Sequence, residues 1–202
     1  MSREEVAHEA ARLLYYQVYK EYKDAKESAA ASLNTKTLPS NFEIAHELDR
    51  ISEELEGPDR LKRLLEMRKI AIQIMKVLTK HEPRLIGSVW RGTSRKGSDV
   101  DIIIYSNDHF KLLSQLETYQ IVNTENTEFM IDGIPSESTH IILNVEDYQV
   151  EIVVRSPEDF ELYKDERCET YGDIKKGIKL NELERLMNID PLRRFVPKRR
   201  YK

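Results

Sequence analysis

The stretch Leu85–Tyr105, LIGSVWRGTSRKGSDVDIIIY, decides how the rest of the chain reads. An apolar run at 84–86 leads into Gly87-Ser88. A loop with Arg91, Gly92, Arg95, Lys96 and Gly97 follows, and Ser98 precedes two acids, Asp99 and Asp101, at the head of a second apolar run. The pattern predicts a strand, a Gly-Ser turn, a compact basic loop and another strand. Glycine tolerates a strained turn and lets a ligand come close to the backbone. Backbone N–H groups at such a turn, and the Ser88 hydroxyl, can donate to phosphate oxygens.

Side chains alternate between the faces of a strand. Asp99 and Asp101 are therefore expected on one face, with Val100, Ile102 and Ile104 turned to the core. Adjacent carboxylates repel each other. A divalent cation relieves that repulsion, and Mg²⁺ prefers a few carboxylates with water and phosphate oxygens completing its shell. The pair thus suits a metal–nucleoside triphosphate complex. The plainer alternative is a solvent-screened strand edge.

Outward from this stretch, residues 3–27 are expected as one helix, with Val6, Ala10, Leu13, Leu14, Val18, Tyr22 and Ala25 at three- and four-residue steps. Tyr15, Tyr16 and Tyr19 widen its stripe, so it packs on the body of the protein or offers a homodimer or partner surface. Residues 28–39 break the pattern. Ser40 and Glu43 have capping-box spacing for a second helix, which Gly57-Pro58 ends. A long apolar helix over 59–80 is expected against a sheet. Further on, the sequence predicts a helix over 109–119, short strands at 121–122 and 129–131, a turn at Gly133 to Ser136, a strand pair at 139–145 and 148–155, and helical structure from about 158 onward.

The Gly-Ser and Asp-x-Asp elements together fit G-[GS]-x(9–13)-[DE]-h-[DE]-h, a chance match in roughly a few per cent of chains this long. GSVWRGTSRKGSDVDI resembles the signature of the nucleotidyltransferase superfamily typified by DNA polymerase beta. It is most similar to the versions in archaeal CCA-adding enzymes, oligoadenylate synthetases and small prokaryotic nucleotidyltransferases. The resemblance covers roughly 60–155. It implies an α/β (α+β) fold with a small mixed sheet flanked by helices, an N-terminal helical extension and a C-terminal helix. It also implies a third carboxylate on a later strand, for which Val150-Glu151-Ile152 offers Glu151. On this reading Asp99, Asp101 and Glu151 are catalytic and metal-binding, with two Mg²⁺ ions or Mn²⁺ as cofactor. Gly87, Ser88, Arg91 and Ser98 bind the nucleotide. The implied reaction moves an NMP from an NTP, ATP foremost, to an acceptor hydroxyl with release of pyrophosphate. Glu151 can be a metal ligand or a base, and a ligand role is favoured because a metal-bound carboxylate is a poor base. The alternative is a non-catalytic nucleotide- or RNA-binding module, or an antitoxin-like partner protein of the same fold.

The expected domains are a helical region at 1–57, a catalytic domain at 58–157 and a helical segment at 158–202. With a formal net charge of -4, any basic surface must be local. The tail from Pro191 gathers Arg193, Arg194, Lys198, Arg199, Arg200 and Lys202, read either as a solvated end or as an arm for an RNA acceptor. The lone Cys168 excludes an internal disulfide framework. No secretion signal or apolar run long enough for a bilayer is visible, so a cytoplasmic protein without membrane contact is expected.

Overall fold

The computed structural model describes residues 2–131 and 133–198, in two compact units. One unit runs through Leu61 and takes in Arg167–Asp173. The other comprises Lys62–Glu166 with Ile174–Val196. The segment 174–196 thus joins the unit that carries the central stretch.

The first unit is helical: α1 (Arg3–Tyr15), α2 (Tyr22–Ser32) and α3 (Asn41–Glu56). The single helix expected over 3–27 is broken. Gln17 adopts a left-handed conformation, and the carbonyl of Leu13 accepts from the N–H of Val18 in the turn between α1 and α2. No Gly or Pro marks this break. The apolar steps run straight through it because both helices feed one core, Val6, Ala10 and Leu14 from α1 and Ala25 and Ala29 from α2, with Ile44, Leu48 and Ile51 from α3. α3 begins as its sequence predicts. The Ser40 hydroxyl accepts from Glu43 N–H at 3.3 Å, and Glu43 accepts from Ser40 N–H at 2.7 Å.

The long apolar helix is α4 (Pro58–Val77). Then come β1 (Arg84–Ile86), α5 (Gly87–Arg91), β2 (Val100–Tyr105), α6 (His109–Gln115), β3 (Gln120–Ile131), β4 (Ile134–Val145), β5 (Tyr148–Arg155), α7 (Phe160–Tyr163), β6 (Ile178–Lys179) and α8 (Leu180–Ile189). The strands form one mixed sheet in the order β3-β4-β5-β2-β1-β6. β2 and β5 run parallel, and the other pairs are antiparallel. Met67, Ile70, Ile74 and Leu78 of α4 and its C-terminal end share a core with Ile102, Ile104, Ile141, Leu143, Val150, Ile152 and Val154, all on one face of the sheet. This is the mixed α+β architecture expected.

Three local readings differ. The two short strands expected at 121–122 and 129–131 are one strand, β3, paired along its length with β4 and irregular between Ile121 and Asn123. Nearly all of β3 is exposed on both faces, so no apolar alternation marks it. Pro135, expected in a turn, lies in β4 opposite Met130, before β4 begins to pair with β5 at Ser138. Ile178, expected in a helix, belongs to the edge strand β6 opposite Leu85. Gly177 makes this pairing feasible: with a positive φ of 63°, it sits where a Cβ would come 2.8 Å from the Leu85 carbonyl oxygen.

Candidate active site

β2 and β5 lie side by side in parallel, with Asp101 opposite Glu151 and Ile102 opposite Ile152. Alternation sends the isoleucines to the core and the two acids to the other face. Asp99 is one residue short of β2, and its Oδ2 accepts from Gln149 Nε2 at 3.5 Å. The three acids named from the sequence are therefore brought together, two by strand register and one by the loop that feeds β2.

Gly87 closes over Asp101. A Cβ on Gly87 would lie 2.0 Å from Asp101 Oδ2, and the backbone there has a φ of 68°. Any side chain would both strain the backbone and displace the carboxylate. The turn expected at Gly87-Ser88 is the start of the short helix α5. Ser88 is half-buried, and its hydroxyl has no partner among the described residues.

The electrostatics single out Asp101. Its carboxyl is pushed up to about 8, first by loss of water, then by the charges of Glu151 and Asp99, and by a hydrogen bond to Glu151. At neutral pH this acid is largely protonated, as expected where acids crowd a poorly hydrated spot.

Glu151 has a second partner that sequence reasoning did not single out. His140 Nδ1 lies 2.7 Å from Glu151 Oε1, and His140 Nε2 lies 2.8 Å from the Ser138 hydroxyl. The signal was strand parity: His140 is two residues from Ile142, which stands opposite Glu151.

Arg91 and Ser98, expected at the nucleotide, have these surroundings. Arg91 is buried. Its guanidinium stacks over Trp90 at 4.7 Å and donates to the Phe195 carbonyl at 3.1 Å. Arg91 is thus engaged with the C-terminal segment in this structure. Ser98 accepts from Arg95 N–H at 2.9 Å and so shapes the loop before the acids. The tail is also less free than expected. Phe195 stacks on Trp90, and the carbonyls of Pro191 and Arg193 accept from Arg68 at 2.6 and 2.9 Å. Lys198 is exposed, while Arg199, Arg200 and Lys202 lie outside the described residues.

Arg68 was likewise not anticipated. It is fully buried and also donates to the carbonyls of Val89 and Trp90 at 3.2 and 3.0 Å. The helix stripe held the clue, since Arg68 falls between Leu64 and Ala71 on the buried side of α4.

Among the described residues no group of three or more His, Cys, Asp or Glu side chains is arranged to hold a metal ion. The donor chemistry nonetheless suits a hard cation, which takes carboxylate oxygens. The raised Asp101 pKa reflects a charge imbalance that a cation would offset. No helix among the described residues is long and apolar enough to cross a membrane.

A family profile described as a nucleotidyltransferase domain aligns with residues 64–181, more than half of the chain. No curated protein matches the sequence.

Proposed function

We propose a reaction for this chain from the premise that it belongs to the nucleotidyltransferase domain family. It transfers an NMP from an NTP, ATP foremost, to an acceptor hydroxyl. The acceptor oxygen bonds to the α-phosphorus, the bond to the β-phosphate bridging oxygen breaks, and pyrophosphate leaves. One observation carries the reading: Asp101 and Glu151 stand in register on parallel strands beneath Gly87, with the Asp101 carboxyl raised to about 8.

Asp99, Asp101 and Glu151 would hold the cations, two Mg²⁺ or Mn²⁺ ions. Such ions lower the pKa of the acceptor hydroxyl and neutralise charge on the departing pyrophosphate. Asp101 must lose its proton to serve. Gly87 presents backbone close to that carboxylate, and the unpartnered Ser88 hydroxyl is available to a phosphate oxygen. The rest is positioning, on which this chemistry mostly depends. The basic residues of the tail lean the acceptor towards RNA.

The test is incubation with each α-labelled NTP and Mg²⁺ or Mn²⁺ against tRNA, a protein mixture, small alcohols and the chain itself. Pyrophosphate release with label on one acceptor is the expected result. Saturable nucleotide binding with no release under any condition overturns the enzyme reading in favour of a binding module.

A further inference from the structure

Glu151 belongs to the reaction proposed above, but a carboxylate on a strand can rotate, and each of its oxygens could face either neighbour. The structure removes that freedom from one side. His140 and Glu151 are both part-buried, with side-chain exposures of 21% and 28%. His140 sits on β4 opposite Val153, and Ile142 on β4 stands opposite Glu151. The ring therefore reaches Glu151 along the diagonal between neighbouring strands, on the face that also carries Asp101.

The hydrogen-bond roles follow from the chemistry of the groups. Where Glu151 serves as a carboxylate ligand it has no proton to give, so His140 Nδ1 is the donor of the 2.7 Å contact. The other ring nitrogen, Nε2, lies 2.8 Å from the Ser138 hydroxyl. Ser138 is only 5% exposed, so its hydroxyl has little recourse to water. The result is a hydrogen-bonded chain of Ser138, His140 and Glu151, resting on two adjacent strands.

We propose that His140 is a positioning residue: it pins Glu151 Oε1 and leaves the other oxygen of Glu151 to bind a divalent cation beside Asp101. The inference rests on the cation reading of Asp99, Asp101 and Glu151. His140 itself touches neither cation nor substrate. It fixes the orientation of the carboxylate, as hydrogen-bond partners do behind metal ligands. Ser138 holds the ring at its other nitrogen.

Mn²⁺ titration of the purified full chain, followed by the loss of free-ion EPR signal, tests this without turnover. His140→Ala is expected to weaken Mn²⁺ binding by roughly 10–100-fold. His140→Asn places an amide N–H near the position of Nδ1 and is expected to bind within about 3-fold of wild type, because the hydrogen bond to Glu151 is restored. Ser138→Ala, which leaves the ring in place, should fall between the two and serves as the readout if His140→Ala does not fold. Thermal unfolding of each variant confirms that the fold is retained. In turnover, the His140→Ala loss should appear as a higher Mn²⁺ requirement, recovered at high Mn²⁺, with the KM for nucleotide little changed. Wild-type affinity in His140→Ala, or equal weakness in His140→Ala and His140→Asn, overturns the positioning role while the cation reading stands. No saturable Mn²⁺ binding by the wild type, or unaltered binding in Asp101→Asn, overturns the cation reading and this inference with it.

Discussion

Arg68 and Asp101 are both charged groups withdrawn from water in the same unit, and the chain treats them in opposite ways. Arg68, with no exposed surface, donates to four carbonyls, those of Val89, Trp90, Pro191 and Arg193. Burial pulls its pKa down to about 10 and Asp190 pushes it back up, so it stays charged at neutral pH. Asp101 instead meets two further acids, and its pKa rises to about 8. A buried charge whose partners are complete is a fastener. One whose neighbours are acids costs stability, and on the function proposed above a bound cation would offset that cost.

The comparison can be broken in several ways. The largest effect is expected for Asp101→Asn, which should lower metal-dependent NMP transfer by roughly 10⁴-fold while the protein stays folded. Pyrophosphate release measures it, and activity equal to wild type would place Asp101 with Arg68 as a structural group. Arg68→Met should do the reverse. It leaves four carbonyls without their donor and should cost on the order of 3–5 kcal/mol in urea unfolding. Arg68→Lys should recover little of this, because one ammonium cannot replace the planar fork.

A third test follows the titration of Asp101. Its folded pKa of about 8 lies above the ordinary carboxylate value, so folding favours the protonated form. The penalty is absent at low pH and grows as pH rises from about 4 to about 8. Asp101→Asn should therefore stabilise the cation-free protein at pH 8 by ~1–3 kcal/mol, with the gain fading towards pH 4, because Asp101 keeps partial contact with water. A gain that is flat with pH would remove the electrostatic contrast. The smallest effect is expected for Ser88→Ala, which should raise the KM for nucleotide by about 3–10-fold, worth one hydrogen bond, and leave the melting temperature within about 1–2 °C.

Much of the fold was legible because its signals are local. The apolar steps of α4 and the Asp-Val-Asp-Ile run are short-range patterns, as is the cap at Ser40, and each appears where its spacing predicts. The failures share a cause. β3 lacks alternation because an exposed edge strand has no buried face to impose it. The break between α1 and α2 is silent because α1 buries Val6, Ala10 and Leu14 and α2 buries Ala25 and Ala29 in one core. The contact of Arg91 with the Phe195 carbonyl is likewise set by the return of a distant segment, which no local pattern records.

By itself the sequence determined the pairing of Asp99 and Asp101 behind Gly87-Ser88, since parity and spacing are properties of one stretch, while Glu151 came from the family resemblance. The tertiary structure decided how they meet. The parallel pairing of β2 with β5 sets Asp101 against Glu151, and β4 brings His140 and Ser138 behind Glu151. The physical reason is range. Periodicity records which face a residue takes within its own element, whereas the partner on the next strand is set by a register that no single stretch encodes.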